Sequence, residues 1–232
     1  MKEIPHIELP EMYNEHEFID SPLVKIPDNS GIKVELQYPL MGMENAINDC
    51  FVRKEVLEKL LEAKMYLPEG ITFKIWDAYR PFALQEELYY KYREKIIDEF
   101  KLKDLSLEEQ NKVINYYVAL PIRDEELPPQ HTTGGAIDLT LVDIKSGKDL
   151  DLGIPFDSFS NLTNTDSFEN VGMDETIKNN RRILYNAMTK AGFTNLPSEC
   201  WHYDYGNKNW AYYNKKPAIY KGIFDLNNDN IK

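Results

Sequence analysis

Two short stretches of this chain carry residue types able to do metal chemistry. The first is Gln130-His131-Thr132-Thr133-Gly134-Gly135-Ala136-Ile137-Asp138-Leu139-Thr140-Leu141, and the second is Ser198-Glu199-Cys200-Trp201-His202-Tyr203. His131, Asp138 and His202 are the right types for a three-ligand zinc site. Three protein ligands leave a fourth position for water, the arrangement of a catalytic rather than a structural metal. Glu199, three residues before His202, is then free to act as a base. Singly these residues say little, since E-x-x-H is common and a lone histidine beside an aspartate-bearing strand is more often packing or surface than ligand.

The local pattern says how such residues would be positioned. Over residues 136–142, Ile137, Leu139 and Leu141 fall on one face while Asp138 and Thr140 fall on the other, the period of a half-buried strand. Trp201, Tyr203 and Tyr205 share one face of a second extended segment, and His202 and Asp204 share the other. Gly134 and Gly135 permit a tight approach just before the first strand. Two such strands side by side would bring Asp138 and His202 to one point.

The string H-x-x-G-x-A-x-D, here His131, Gly134, Ala136 and Asp138, followed by E-x-W-H at Glu199, Trp201 and His202, resembles the signature of the zinc D-alanyl-D-alanine dipeptidases. These are related to the DD-carboxypeptidases and the hedgehog-like domains. Trp76-Asp77-Ala78-Tyr79-Arg80-Pro81 is similar to the family's D-x-Y-R-P block, and Gly153-Ile154-Pro155-Phe156-Asp157 to its G-x-x-F-D. Asn180-Arg181-Arg182 and Gly192-Phe193 also fall where members have similar residues, and the blocks run from about residue 70 to 205. The resemblance implies one Zn2+ per chain on His131, Asp138 and His202, Glu199 as catalytic base, and Arg80 facing the developing oxyanion. It implies Asp157 as the partner of the substrate ammonium. Tyr38 is placed either in the pocket wall or in ordinary packing. Two positions depart from the pattern: Pro129 stands where members usually have serine, and Cys200 where many have tryptophan.

Composition bounds the rest. With 232 residues, 42% hydrophobic and 28% charged, the chain is long enough for one well-packed domain. We expect a single zinc peptidase domain over 1–232, with 1–30, polar and proline-rich, as an arm over the surface. Lys plus Arg is 27 against 39 Asp plus Glu, a net charge of −12 that disfavours nucleic acid and anionic membrane as partners. The first 25 residues hold no apolar run, so a cytoplasmic protein is expected. Cys50 and Cys200 are read as free thiols. His6 and His16 read as solvated surface side chains. Oligomeric state is left open.

Along the chain, 32–38 reads as a short strand and 38–43 as a loop over the site. Residues 53–67 read as a helix built on Val56, Leu57, Leu60 and Leu61. Ile71, Phe73 and Ile75 mark a strand that delivers Asp77 and Arg80. Pro81 opens a helix to about Phe100, with Leu84, Leu88, Tyr92 and Ile96 as its stripe. Ser106 and Glu109 predict a capping box for a helix to Val118. Residues 143–175, rich in Asp, Asn, Ser and Gly, read as a long irregular segment carrying Asp157. A helix follows over 176–191, and Trp210, Tyr212 and Tyr213 suggest a short terminal strand.

The resemblance implies an α+β fold: a small, mainly antiparallel sheet with helices packed on one face and the zinc site on the other. It implies hydrolysis of D-Ala-D-Ala and similar D,D-dipeptides. Two alternatives stand beside it. One is a DD- or LD-carboxypeptidase acting on cell-wall peptides, which needs an open cleft. The other is a catalytically inactive zinc-binding module, against which Glu199 and Arg80 argue.

Overall fold

The computed structural model describes residues 1–170, 172–227 and 229–232; position 171 of the irregular segment and position 228 of the tail lie outside them. The fold is α+β. In chain order the strands are β1 (Leu23–Lys25), β2 (Lys33–Val34), β3 (Phe51–Arg53), β4 (Ile71–Asp77), β5 (Ala136–Asp143), β6 (Thr194–Asn195) and β7 (His202–Asp204). The helices are α1 (Gln37–Leu40), α2 (Lys54–Lys64), α3 (Phe82–Glu99), α4 (Leu107–Tyr117), α5 (Glu175–Lys190) and α6 (Lys208–Asn214). Five strands form one sheet in the order β2-β4-β5-β7-β6, antiparallel except for the β2–β4 pair, while β1 and β3 make a separate antiparallel ribbon.

The apolar face of the sheet organises the core. Phe73, Ile75, Ile137, Leu139 and Leu141 are all fully buried, and they pack with Val56, Leu60 and Ala63 of α2 and with Leu184, Ala187 and Met188 of α5. Each of these large side chains contributes roughly 1.5–3 kcal/mol by leaving water. A second cluster joins Leu84, Leu88, Tyr92 and Ile96 of α3 to Ile114 and Val118, and it also takes in Tyr38 and Phe159. The expected capping box at Ser106 and Glu109 closes the start of α4.

Three elements differ from the sequence reading. The strand expected over 32–38 is only Lys33–Val34, and Tyr38 lies in α1 rather than in a strand or open loop. The terminal strand expected around Trp210 is α6 instead. Asn207 caps it by accepting from the Asn209 and Trp210 amides, and Trp210 and Ala211 turn into the protein. The local cap outweighed the β preference of the aromatics, which depends on packing context. The segment before α2 is also strand, so Arg53 is its N-cap. The buried Arg53 guanidinium donates to the carbonyls of Thr133 (2.6 Å), Ser21 (2.5 Å) and Lys221 (2.8 Å). It thereby ties the turn after His131 to both ends of the chain. Among the described residues no helix is long and apolar enough to cross a membrane.

Candidate metal centre and active site

Strand register brings the two motifs together. β5 and β7 run antiparallel with Asp138 directly opposite His202, and both side chains lie on the face away from the apolar core. His131 sits in a 3-10 turn (His131–Thr133) that Gly134 ends at φ 71°, a left-handed conformation suited to glycine. The next glycine is constrained by space, because a Cβ on Gly135 would come within 2.5 Å of the Tyr205 carbonyl oxygen. β4 contributes through a β-bulge between Ile75 and Asp77. With strict alternation Asp77 would follow Ile75 into the core; the extra residue instead sets it opposite Asp138.

The three candidate ligands are buried and their donor atoms converge. His131 Nε2 lies 3.2 Å from His202 Nδ1 and 3.3 Å from Asp138 Oδ2, and His202 Nδ1 lies 3.0 Å from Asp138 Oδ1. Tetrahedral zinc with bonds of about 2.0–2.1 Å separates its ligand atoms by roughly 3.4 Å, so the trio has the dimensions of one face of such a site. The outer ring nitrogens support the same conclusion. His131 Nδ1 donates to the Ala78 carbonyl (2.7 Å) and His202 Nε2 donates to Asp204 Oδ1 (3.1 Å). With the outer nitrogens so engaged, the inner nitrogens face each other and the Asp138 carboxylate, a donor set that a divalent cation would bridge. Burial alone would lower the His202 pKa, yet Asp204 and Asp138 outweigh it and raise it well above the ordinary value. Asp138 is held well below the usual carboxylate range by the two histidines, against its own desolvation.

Around the trio stand the other predicted residues. Glu199 Oε2 is 3.8 Å from His202 Nδ1; burial, reinforced by Asp138 and Asp157, pushes its carboxyl up to about 8. Arg80 Nη2 reaches within 4.0 Å of Asp138 Oδ2. Asp77 Oδ2 accepts from Arg80 Nε (3.0 Å) and Nη2 (2.7 Å), Gln85 Oε1 from Nη1 (2.7 Å), and the Tyr38 hydroxyl from Nη2 (3.3 Å). These bonds engage four of the five guanidinium N–H groups, leaving one on Nη1 for a ligand. Asp157 accepts from the Tyr92 hydroxyl at 2.5 Å and adopts φ 53°, a strained backbone conformation for a non-glycine residue. Burial pushes its carboxyl up to about 6, although Tyr92 opposes the shift. All seven predicted site residues line one cavity of about 380 Å³.

Several contributors were not identified from the sequence. Asp204, fully buried, was seen only as sharing a face with His202; it also accepts from Asn207 (2.5 Å) and Asn209 (3.1 Å), and Asn209 in turn accepts from Gln130. A carboxylate behind a metal-binding histidine fixes its tautomer and orientation. Gln85 and Tyr92 similarly hold Arg80 and Asp157, while Asp77, which the strand was expected to deliver with Arg80, accepts from that guanidinium. Arg181 pins the irregular segment that carries Asp157, donating to the carbonyls of Leu152 (2.8 Å), Asn164 (2.7 Å) and Leu162 (2.7 Å). Pro129 is buried and accepts the Thr132 amide at its carbonyl. Cys200 is packed in the core with its thiol pushed up to about 11 by burial, so it fills space rather than presenting a reactive thiolate.

Residues 40–221 match the family described as D-ala-D-ala dipeptidase, peptidase family M15. The chain belongs to this family. It is a zinc metallopeptidase. D-alanyl-D-alanine dipeptidase of Synechocystis is 29% identical over 189 residues, covering 74% of this chain and 76% of that protein. The protein of the same name from Enterococcus faecalis is 27% identical over 168 residues, covering 71% and 77%. Among solved structures, a vancomycin resistance D,D-pentapeptidase VanY in complex with Zn(II) is 14% identical, covering 84% of this chain and 91% of that one at a TM-score of 0.41.

One zinc per chain is expected on His131, Asp138 and His202. Elemental analysis should find stoichiometric zinc in the native peptidase and none in a His131→Ala, His202→Ala double variant. Retention of zinc by that variant would refute the ligand set.

Proposed function

We propose that this zinc peptidase hydrolyses D-Ala-D-Ala and similar D,D-dipeptides, with Glu199 as base. The observation that carries the reading is the convergence, on one small cavity, of the donor trio, Glu199, the remaining Arg80 N–H and the Asp157 carboxylate. The family description and the names of the relatives in Synechocystis and Enterococcus support the same substrate class. Cavity size supports a dipeptide over a long cell-wall strand. At about 380 Å³ it lies near the small end for ligand sites, and Leu9 to Met12 of the N-terminal arm form part of its wall.

Zinc bound by the trio would polarise the scissile carbonyl and bring the pKa of its water towards about 7. Glu199 Oε2 then accepts the proton of the attacking water and delivers it to the leaving nitrogen. The Nη1 N–H of Arg80 donates to the oxygen on which negative charge develops. Asp157, backed by Tyr92, pairs with the substrate ammonium and so positions the peptide bond over the trio. The role of Asp204 is to keep His202 in the tautomer that offers Nδ1 inward.

The test is hydrolysis of D-Ala-D-Ala beside L-Ala-L-Ala and N-acetylated D-Ala-D-Ala. Acetylation removes the charge that Asp157 would pair with, so only the free D,D-dipeptide should be cleaved efficiently. Equal cleavage of the acetylated peptide would remove the dipeptidase reading in favour of the carboxypeptidase. Asp157→Asn should lose about thirtyfold in kcat/KM, the low end for truncating a desolvated charge pair, and should keep its zinc.

pH provides a second readout. The Asp157 carboxyl is raised, so it becomes neutral as pH falls through about 6 rather than near the ordinary 3.8. Its contribution to kcat/KM is therefore present above about pH 6 and lost below it. The ratio of native to Asp157→Asn kcat/KM should fall by about tenfold per pH unit below that point. A pH-independent ratio would remove Asp157 from ammonium binding.

A further inference from the structure

The cavity contains one cation that none of these roles uses. Lys208, the first residue of α6, lines it beside Gln130 and Asn209. It is half-buried, and among the described residues its ammonium makes neither a hydrogen bond nor an ion pair. Burial pushes its pKa down, opposed only at longer range by Asp204 and Asp124. Asp204 is already engaged by His202, Asn207 and Asn209. Nor does α6 itself favour the charge, since the N-terminal end of a helix stabilises anions. A partly desolvated ammonium without a partner is unfavourable in the free protein and becomes favourable when an anion enters.

A dipeptide carries two terminal charges, and Asp157 accounts for only the ammonium. Tyr92, Tyr38, Arg80, Asp138 and Glu199 act on Asp157, whereas the carboxylates acting on Lys208 are Asp204 and Asp124. Both residues line the same cavity, Asp157 from the irregular segment after β5 and Lys208 from α6. Resting on the dipeptidase reading, we infer that Lys208 binds the C-terminal carboxylate of the substrate and so sets a preference for substrates whose carboxylate there is free. The end near α6 is also closed. The Tyr213 hydroxyl on α6 donates to the Glu8 carbonyl (2.8 Å) and Tyr212 meets Tyr13 edge-on, which holds Leu9 to Met12 in the cavity wall. A residue added after the carboxylate-bearing one would have to displace this arm.

The experiment compares D-Ala-D-Ala with its C-terminal carboxamide in zinc-loaded native protein, Lys208→Met and Lys208→Arg. Native protein should prefer the free acid by about ten- to a hundredfold in kcat/KM, the range for one charge-assisted pair. Lys208→Met should lose that preference through a raised KM for the acid, with the amide cleaved as by native protein and zinc content unchanged. Lys208→Arg should restore much of the preference, which a purely structural role would not require. No preference in native protein, or an undiminished preference in Lys208→Met, overturns the assignment while leaving dipeptide hydrolysis intact. Failure of native protein to cleave either peptide would instead remove the dipeptidase reading, and this assignment with it.

Discussion

Glu199→Ala should keep its zinc and lose about 10²- to 10⁴-fold in kcat, while Asp138→Ala should lose the metal itself. The two carboxylates lie in the same cavity, yet their surroundings differ. Asp138 is buried, lies 3.0 and 3.3 Å from the two facing imidazole nitrogens, and is held ionised by them. Glu199 is half-buried, 3.8 Å from the nearer of those nitrogens, and burial biases it toward taking up a proton. A group in the first environment suits a permanent ligand, and one in the second suits a base that is protonated and deprotonated in each turnover. Zinc content and kcat measured on both variants decide the matter. Glu199→Ala without zinc, beside Asp138→Ala with it, would show the two roles reversed.

Arg80→Met should lose about 10²- to 10³-fold in kcat with little change in KM, the usual cost of removing one donor aimed at a developing oxyanion. The variant has a structural consequence as well. Arg80 and Asp77 form a buried ion pair at 2.7 Å, and truncating one partner leaves the other charge unpaired. The double variant Arg80→Met, Asp77→Asn removes both charges and should fold better than the single one while remaining equally slow. Thermal unfolding and kcat measured together separate the effects. Full kcat in the double variant would rule out a role for Arg80 in oxyanion stabilisation.

The parts of this protein that were legible in its sequence are those that depend on short-range pattern. Alternation through Ile137, Leu139 and Leu141 marked β5 and set Asp138 on the opposite face, because a strand has period two whatever surrounds it. Ser106 and Glu109 form their cap within a single turn of chain. The candidate ligands were legible because His131, Asp138 and His202 fall, with Glu199, in ordered blocks that resemble a zinc peptidase signature, although each alone says little. The misread segments are those where a local preference met a stronger competitor. Trp210, Tyr212 and Tyr213 suggest a strand by type, but Asn207 caps a helix that buries Trp210.

Only the tertiary structure decided what surrounds the chemistry. The bulge after Ile75 turns Asp77 from the core face towards Arg80, and a one-residue register change leaves no mark in composition. Gln85 reaches Arg80 from the first turns of α3, and Asp204 and Lys208 take their places from the packing of β7 and α6. The arm from Leu9 to Met12 is held at the cavity by α6, through the bond between Tyr213 and Glu8, 205 positions apart. The sequence by itself determined which side chains could hold zinc and move a proton. Their orientation, their charge state and the size of the space between them depend on non-local contacts and desolvation, which arise only when distant segments exclude water from the same volume.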